Sequence, residues 1–318
     1  RRVQEVGRRA PLRCGGWNAR RRAQSPQVVL EMTTPSTAFR ERRYRSQDGL
    51  DLYYREYGQR TPRRPAILCL PGMTRNSTDF HDLALRHASR WRVLCPDYRG
   101  RGRSQYDRDW RNYHTKVSAD DIRHLLVAAN THEAIMIGTS FGGLLAMVLA
   151  VMAPTVVAGA VLNDIGPRIE SGGIDKLLDY MEDDRPLDDW DAAARRLGET
   201  FPNFTAFDDA DWRHVAEGTY RERADGRLVF DWDPSIVKAL RAGTRGSVNL
   251  WPLFRALGRA PVLAIRGSES NFLAEDVFDR MAEEVPSLMR AIVPGVGHPP
   301  SLLEPEAITA LDSFLARF

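Results

Sequence analysis

The segment Gly138-Thr139-Ser140-Phe141-Gly142 sets a hydroxyl between two glycines, directly after the apolar run Ala134-Ile-Met-Ile137 and directly before a helix-forming stretch. A G-x-S-x-G sequence in that setting reads as a sharp strand-to-helix turn that presents the serine to a cleft. The glycines serve the geometry, because a serine held in a strained backbone conformation needs small neighbours where the chain passes close to itself. The helix N-terminus beneath it favours negative charge as it develops. A plain tight turn is the competing reading of the same five residues. The chemistry at stake is nucleophilic attack on an acyl carbon.

Such a serine needs a general base, and the chain offers seven histidines: 81, 87, 114, 124, 132, 214 and 298. Only His298 stands in a loop after the last strand-like run, Arg290-Ala-Ile-Val293, where the glycines and prolines of VPGVGHPPSL shape an exit that can carry an imidazole to a sheet edge. The others fall in helical or turn segments, where surface and packing roles are the ordinary use. An oxyanion needs donors as well. Backbone N–H groups of Met73, in the loop LPGMTRNSTDF, and of Phe141, next to the serine, are the candidates.

These groups must be positioned by a scaffold, and the chain shows one. After a hairpin suggested by FRERRYRS and LDLYYREYG around QDG, short apolar runs at 65–70, 91–96, 133–138 and 156–162 alternate with helical stretches near 78–89, 117–130 and from 141. Strands apolar on both faces and separated by helices predict a mostly parallel sheet in an α/β fold. The rhythm lapses from about 166 to 250, where acid- and Trp-rich amphipathic stretches predict a helical insertion, and resumes with PVLAIRG, a helix near 273–285, MRAIVPG and a closing helix. The expected division is a basic, disordered N-terminal extension over 1–37, a core over 38–165 and 251–318, and a helical cap over 166–250.

Charge and cysteines narrow the class. The chain has 318 residues and a net charge of +3, but residues 1–30 alone hold eight arginines and one acid, so the remainder carries −4. The basic balance describes a tail. We expect Met32 to be the natural start, over a transit peptide or a nucleic-acid-binding arm. Cys14, Cys69 and Cys95 make no disulfide framework; the latter two lie in apolar runs and read as small buried hydrophobes in a reducing, cytoplasmic compartment. Pro154 divides the most apolar window, 144–162, into a helical and a strand-like half, so no membrane span is predicted.

Five ordered motifs, LCLPGMTRNSTDF, DYRGRGRS, IGTSFGG, LNDIGP and VPGVGHPP, together resemble the α/β-hydrolase superfamily, in particular its esterase-like bacterial members with a helical cap. The resemblance covers about residues 38–318. It implies a serine, acid and histidine at the C-terminal edge of the sheet under the cap, with no cofactor and no metal, and it makes Asp97–Ser104 a structural loop. It also exposes a gap. In similar hydrolases the acid follows the strand that corresponds here to 261–265, in a loop reading R-G-x-x-S-D, and this chain reads RGSESNF, with Asn271 in the acid position. An amide carries no charge to stabilise an imidazolium; in a serine protease the Asp→Asn change lowers kcat about 10⁴-fold.

Glu269 and Asp276 are nearby carboxylates at other offsets. Asp164, in VLNDIGP at the end of the preceding strand, is the better candidate, since some haloalkane dehalogenases in this superfamily place an acid at the similar strand end. Its ordinary use would be a turn or cap before Gly166-Pro167. Ser140 in place of an aspartate nucleophile argues against dehalogenation itself. The expected activity is hydrolysis of a small carboxylic ester or related acyl compound, with Ser140, His298 and Asp164 as the triad. Two rivals stand beside it: C–C bond hydrolysis of a β-diketone or ring-cleavage product, and ligand binding on an impaired site. The only expected partner is a small acyl substrate, with neither nucleic acid nor membrane.

Overall fold

The computed structural model describes residues 38–61, 64–169, 171–204, 209–243 and 249–318. The expected extension over 1–37, with Met32 and Cys14, lies outside the described residues. The chain opens with the hairpin β1 (Arg40–Arg45) and β2 (Asp51–Tyr57), followed by β3 (Ala66–Leu70), α1 (His81–His87), β4 (Val93–Pro96), α2 (Thr115–Ala128), β5 (Ala134–Thr139), α3 (Phe141–Met152) and β6 (Val157–Asn163). The stretch predicted helical near 78–89 begins as a 3₁₀ turn over Ser77–Phe80, capped by the Asn76 side chain, before α1 starts.

Between β6 and the return to the sheet run α4 (Ser171–Glu182), α5 (Trp190–Thr200), α6 (Asp209–Glu217), the short pair β7 (Tyr220–Glu222) and β8 (Leu228–Phe230), and α7 (Ser235–Gly243). Then come α8 (Trp251–Leu257), β9 (Val262–Gly267), α9 (Glu275–Glu284), β10 (Met289–Val293) and α10 (Pro305–Leu315). The predicted insertion is therefore helical with a two-stranded hairpin inside it. Tyr180, Phe230 and Trp232 anchor its own apolar cluster, with the last two rings stacked 3.9 Å apart.

Eight strands form one sheet in the order β1-β2-β4-β3-β5-β6-β9-β10. β1 and β2 pair antiparallel, as do β2 and β4, and every other pairing is parallel. Parallel strands need crossovers, and here the crossovers cover both faces. Alternate residues divide accordingly. Leu68, Leu70 and Met136 pack under α2, α3, α8 and α9, whereas Ile67, Cys69 and Ile137 pack under α1 and α10. Each of these six is fully buried, and burying an aliphatic side chain of this size contributes about 1.5–3 kcal/mol. Cys69 and Cys95 are free thiols in that interior. No helix among the described residues is long and apolar enough to cross a membrane.

Candidate active site

β3, β5, β6, β9 and β10 are consecutive in the parallel part of the sheet, so the loops leaving their C-terminal ends share one edge. Ser140 leaves β5 with φ 50° and ψ −113°, a left-handed backbone that costs energy for any residue with a Cβ. Its glycine neighbours are required by close approach. A Cβ at Gly142 would come within 2.0 Å of the Leu70 carbonyl oxygen, and one at Gly138 within 2.5 Å of the Gly142 backbone. The strand therefore turns into α3 with nothing between the hydroxyl and the cleft.

Register brings the next group level with it. Thr139 pairs with Asn163, and Asn163 pairs with Ile265, so the residues one step beyond, Ser140 and Asp164, stand on adjacent strand ends. Ser140 N–H donates to Asn163 C=O at 3.0 Å, and Asp164 N–H to Ile265 C=O at 2.8 Å. Asp164 also has positive φ, 55°, a region that Asp enters more readily than most residues.

His298, in the loop after β10, joins the two. Its Nδ1 lies 2.7 Å from Asp164 Oδ2 and its Nε2 3.0 Å from Ser140 Oγ. An ionised carboxylate only accepts hydrogen bonds, so Nδ1 carries the proton and Nε2 is left to accept from the serine hydroxyl. Asp164 is fully buried, and its two oxygens accept two further hydrogen bonds, from Gly267 N–H at 3.0 Å and from Ser270 Oγ at 2.6 Å. That satisfies a charge which would otherwise be costly to bury. Phe272 stacks flat on the imidazole, 3.8 Å between centroids.

The other sequence candidates stand apart from His298. Asn271 is exposed at the cavity rim, and Glu269 is exposed and accepts from the Ser268 hydroxyl. Asp276 pairs with Arg168 at 2.6 Å on the surface, an interaction that holds its carboxyl below the usual range. Ser270 and Phe272 were not singled out by sequence reasoning. They lie beyond the end of β9 at Gly267, where no strand alternation tells which side chains turn inward.

A cavity of about 310 Å³ opens onto Ser140 and His298. The insertion supplies an apolar wall that includes Leu177, Tyr180, Leu197, Phe201 and Trp212. Gly72 and Met73, from the loop after β3, also line it. Among the described residues, the N–H groups of Met73 and Phe141 have no acceptor within the protein. Charged lining groups are few. Arg75 is closed into a pair with Asp79, Nε to Oδ2 2.8 Å, which leaves Lys176 and Glu269. No group of His, Cys, Asp or Glu among the described residues could hold a metal ion.

The turn Asp97–Ser104 backs this edge. Asp97 Oδ1 accepts from Ser77 N–H at 2.7 Å and its Oδ2 from Arg103 N–H at 2.8 Å, and burial raises its carboxyl above the usual range. Arg99 is buried among Asp121, Asp107 and Asp48, at 2.6, 2.7 and 2.9 Å. Arg101 is buried without such partners, and desolvation pushes its guanidinium down to about 10, still cationic at neutral pH.

Known proteins share this architecture. A sequence profile describing the alpha/beta hydrolase fold matches residues 65–305. The chain is 28% identical over 271 residues to a 3-hydroxybutyrate-oligomer hydrolase of Cupriavidus necator, covering 82% of this chain and 91% of the relative. It is 30% identical over 253 residues to a 2-(acetamidomethylene)succinate hydrolase of Mesorhizobium japonicum, covering 79% and 88%. The crystal structure of an alpha/beta hydrolase from Novosphingobium aromaticivorans superposes with a TM-score of 0.84 at 38% identity, covering 88% of this chain and 99% of the other.

Proposed function

Because the chain belongs to the alpha/beta hydrolase fold family and is an α/β-fold hydrolase, we propose that it is a serine hydrolase that cleaves a small carboxylic ester or related acyl compound through an acyl-enzyme. The observation that carries the reading is the hydrogen-bonded chain from Ser140 through His298 to Asp164 at the mouth of an apolar cavity. Ser140 Oγ attacks the carbonyl carbon while its proton passes to His298 Nε2. The carbonyl oxygen becomes an oxyanion held by the Met73 and Phe141 N–H groups. The imidazolium then protonates the departing alkoxide, and water, deprotonated by the same Nε2, releases the acid and restores the serine.

Asp164 keeps the proton on Nδ1 and stabilises the imidazolium; it gives up no proton itself. The steps draw on no metal or cofactor. We assign residues 166–250 the part of a cap that shapes the acyl site, since they furnish its apolar wall. The partner is a small acyl compound, and the buried free thiols fit a reducing, cytoplasmic setting.

The Cupriavidus necator relative is named for oligomers of a hydroxy acid, which favours an ester bond. The Mesorhizobium japonicum relative is named for a substrate other than a simple ester, so C–C bond hydrolysis by the same three residues is the second reading. Assays with p-nitrophenyl acetate and butyrate, beside a β-diketone and a dienoic ring-cleavage product, separate the two. Ser140→Ala is expected to lower ester turnover by at least about 10³-fold, given what loss of a serine nucleophile costs elsewhere. Equal rates in the two proteins would sink the proposal.

A further inference from the structure

Arg101 is 2% exposed, and among the described residues no carboxylate lies within ion-pair distance of it. The carboxylate that acts on it through space, Asp233, is taken by the Tyr113 hydroxyl at 2.5 Å and by Ser235 N–H at 2.9 Å. Burying an unpaired guanidinium is costly, so its surroundings must offset that cost in another way. They do so with backbone and rings. Nε donates to Met73 C=O at 2.9 Å, Nη1 to Arg99 C=O at 2.9 Å, and Nη2 lies 3.0 Å from Met73 Sδ. The guanidinium carbon lies 5.8 Å from the centroid of Tyr98 and 5.9 Å from those of Tyr113 and Phe141.

Three of those contacts involve Met73 and Phe141, the residues whose N–H groups have no acceptor within the protein among the described residues. The guanidinium takes the Met73 carbonyl and thioether together, and it packs against the ring of Phe141. The donor N–H of Met73 belongs to the Gly72–Met73 peptide, which lies between two held carbonyls, that of Pro71, bonded by Tyr98 Oη, and that of Met73, bonded by Arg101, so its freedom to turn over is reduced from both ends. The same turn fixes the loop at two more points, with Tyr98 Oη donating to Pro71 C=O at 3.1 Å and Asp97 accepting from Ser77 N–H. Only Arg101 brings a net positive charge there, in a low-dielectric interior where it favours negative charge nearby.

We propose that Arg101 is a positioning residue for the oxyanion donors: it anchors Met73 by carbonyl and thioether, just beyond the Gly72–Met73 peptide whose N–H donates, and supplies a buried positive charge behind it. The inference rests on the serine-hydrolase reading above, because it presumes that an oxyanion forms at Ser140. Arg101 does not line the cavity and touches no substrate.

The test measures kcat, KM and the inhibition constant of a trifluoromethyl ketone, whose adduct with serine carries an oxyanion, for wild type, Arg101→Gln and Arg101→Lys. Active sites are counted with a fluorophosphonate, and folding is followed by thermal melting. The expected result for Arg101→Gln is a fall in kcat of at least about tenfold, less than the ~10²–10³ lost when a donor is itself removed. The inhibitor should weaken in parallel, while KM for p-nitrophenyl acetate stays within about twofold. Arg101→Lys, which keeps the charge but not the fork, should recover part of both losses.

If Arg101→Gln does not fold, Arg101→Lys decides, with an expected loss of about threefold or more in kcat and inhibitor affinity per active site. A folded variant with wild-type kcat and inhibition constant per active site would overturn the proposal. So would a lower melting temperature as the only change. A wild-type protein that turns over no ester would remove the serine-hydrolase reading and this inference together, whereas an inert Ser140→Ala beside an unaffected Arg101→Gln would remove this inference alone.

Discussion

Two loops at one sheet edge divide a single task between them. The turn after β6 carries a carboxylate, Asp164, fully buried and tied into the sheet by its own N–H. The loop after β9, where the sequence resemblance leads one to expect the acid, carries the hydrogen-bond donors for that carboxylate, Gly267 N–H and Ser270 Oγ, while Asn271 is exposed. Neighbouring parallel strands are about 4.8 Å apart, so a carboxylate leaving either one can reach the same imidazole. Geometry thus constrains where the charge sits relative to His298, not which strand delivers it, and the strand without the charge still supplies donors to the carboxylate.

The largest break in that comparison is expected from Asp164→Asn. It keeps the shape but removes the charge and the reason for the Nδ1 proton, and kcat for p-nitrophenyl esters should fall about 10³–10⁴-fold with KM little changed. A loss below tenfold would return the acid's part to another residue. Ser270→Ala comes next. It strips one hydrogen bond from a buried charge, a loss of about 1.5–3 kcal/mol in such settings, so a drop in kcat of about tenfold, with a lower melting temperature, is expected.

The smallest effect sharpens the contrast. Asn271→Asp alone should leave kcat within about threefold, because its side chain is exposed at the rim. Placed in the Asp164→Asn background it should restore little, and recovery to within tenfold of wild type would show that the two loops are interchangeable after all.

Much of the sheet edge was legible because its physics is local. Runs such as Ala134–Thr139, apolar on both faces, state that a strand is covered twice, and glycines flanking a serine state that a chain doubles back. Asp164 was legible as a candidate because it ends a strand next in sequence order to that of Ser140. Other features depend on directions that spacing alone does not give. The inward turn of Ser270 and the stacking of Phe272 on His298 follow from the path of a loop. The hairpin β7-β8 has strands of three residues each, too short to show a period of two. Arg101 read as one of three arginines in Arg99–Arg103, and only its burial without a carboxylate partner, set against the equally buried but salt-bridged Arg99, separates it.

The loop that carries His298 is also held from the other side. Gly297 donates its N–H to the carbonyl of Asn203, in the insertion, and a Cβ at Gly297 would lie 2.5 Å from that same oxygen. One peptide group thus separates the wall of the cavity from the imidazole that lines it. On the serine-hydrolase reading, altering residues 200–204 to admit a new acyl group is expected to move the His298 loop with the wall, so that preference and rate change together. Grafting the insertion between relatives should carry rate along with preference, and the glycine beside the histidine is the joint through which both pass.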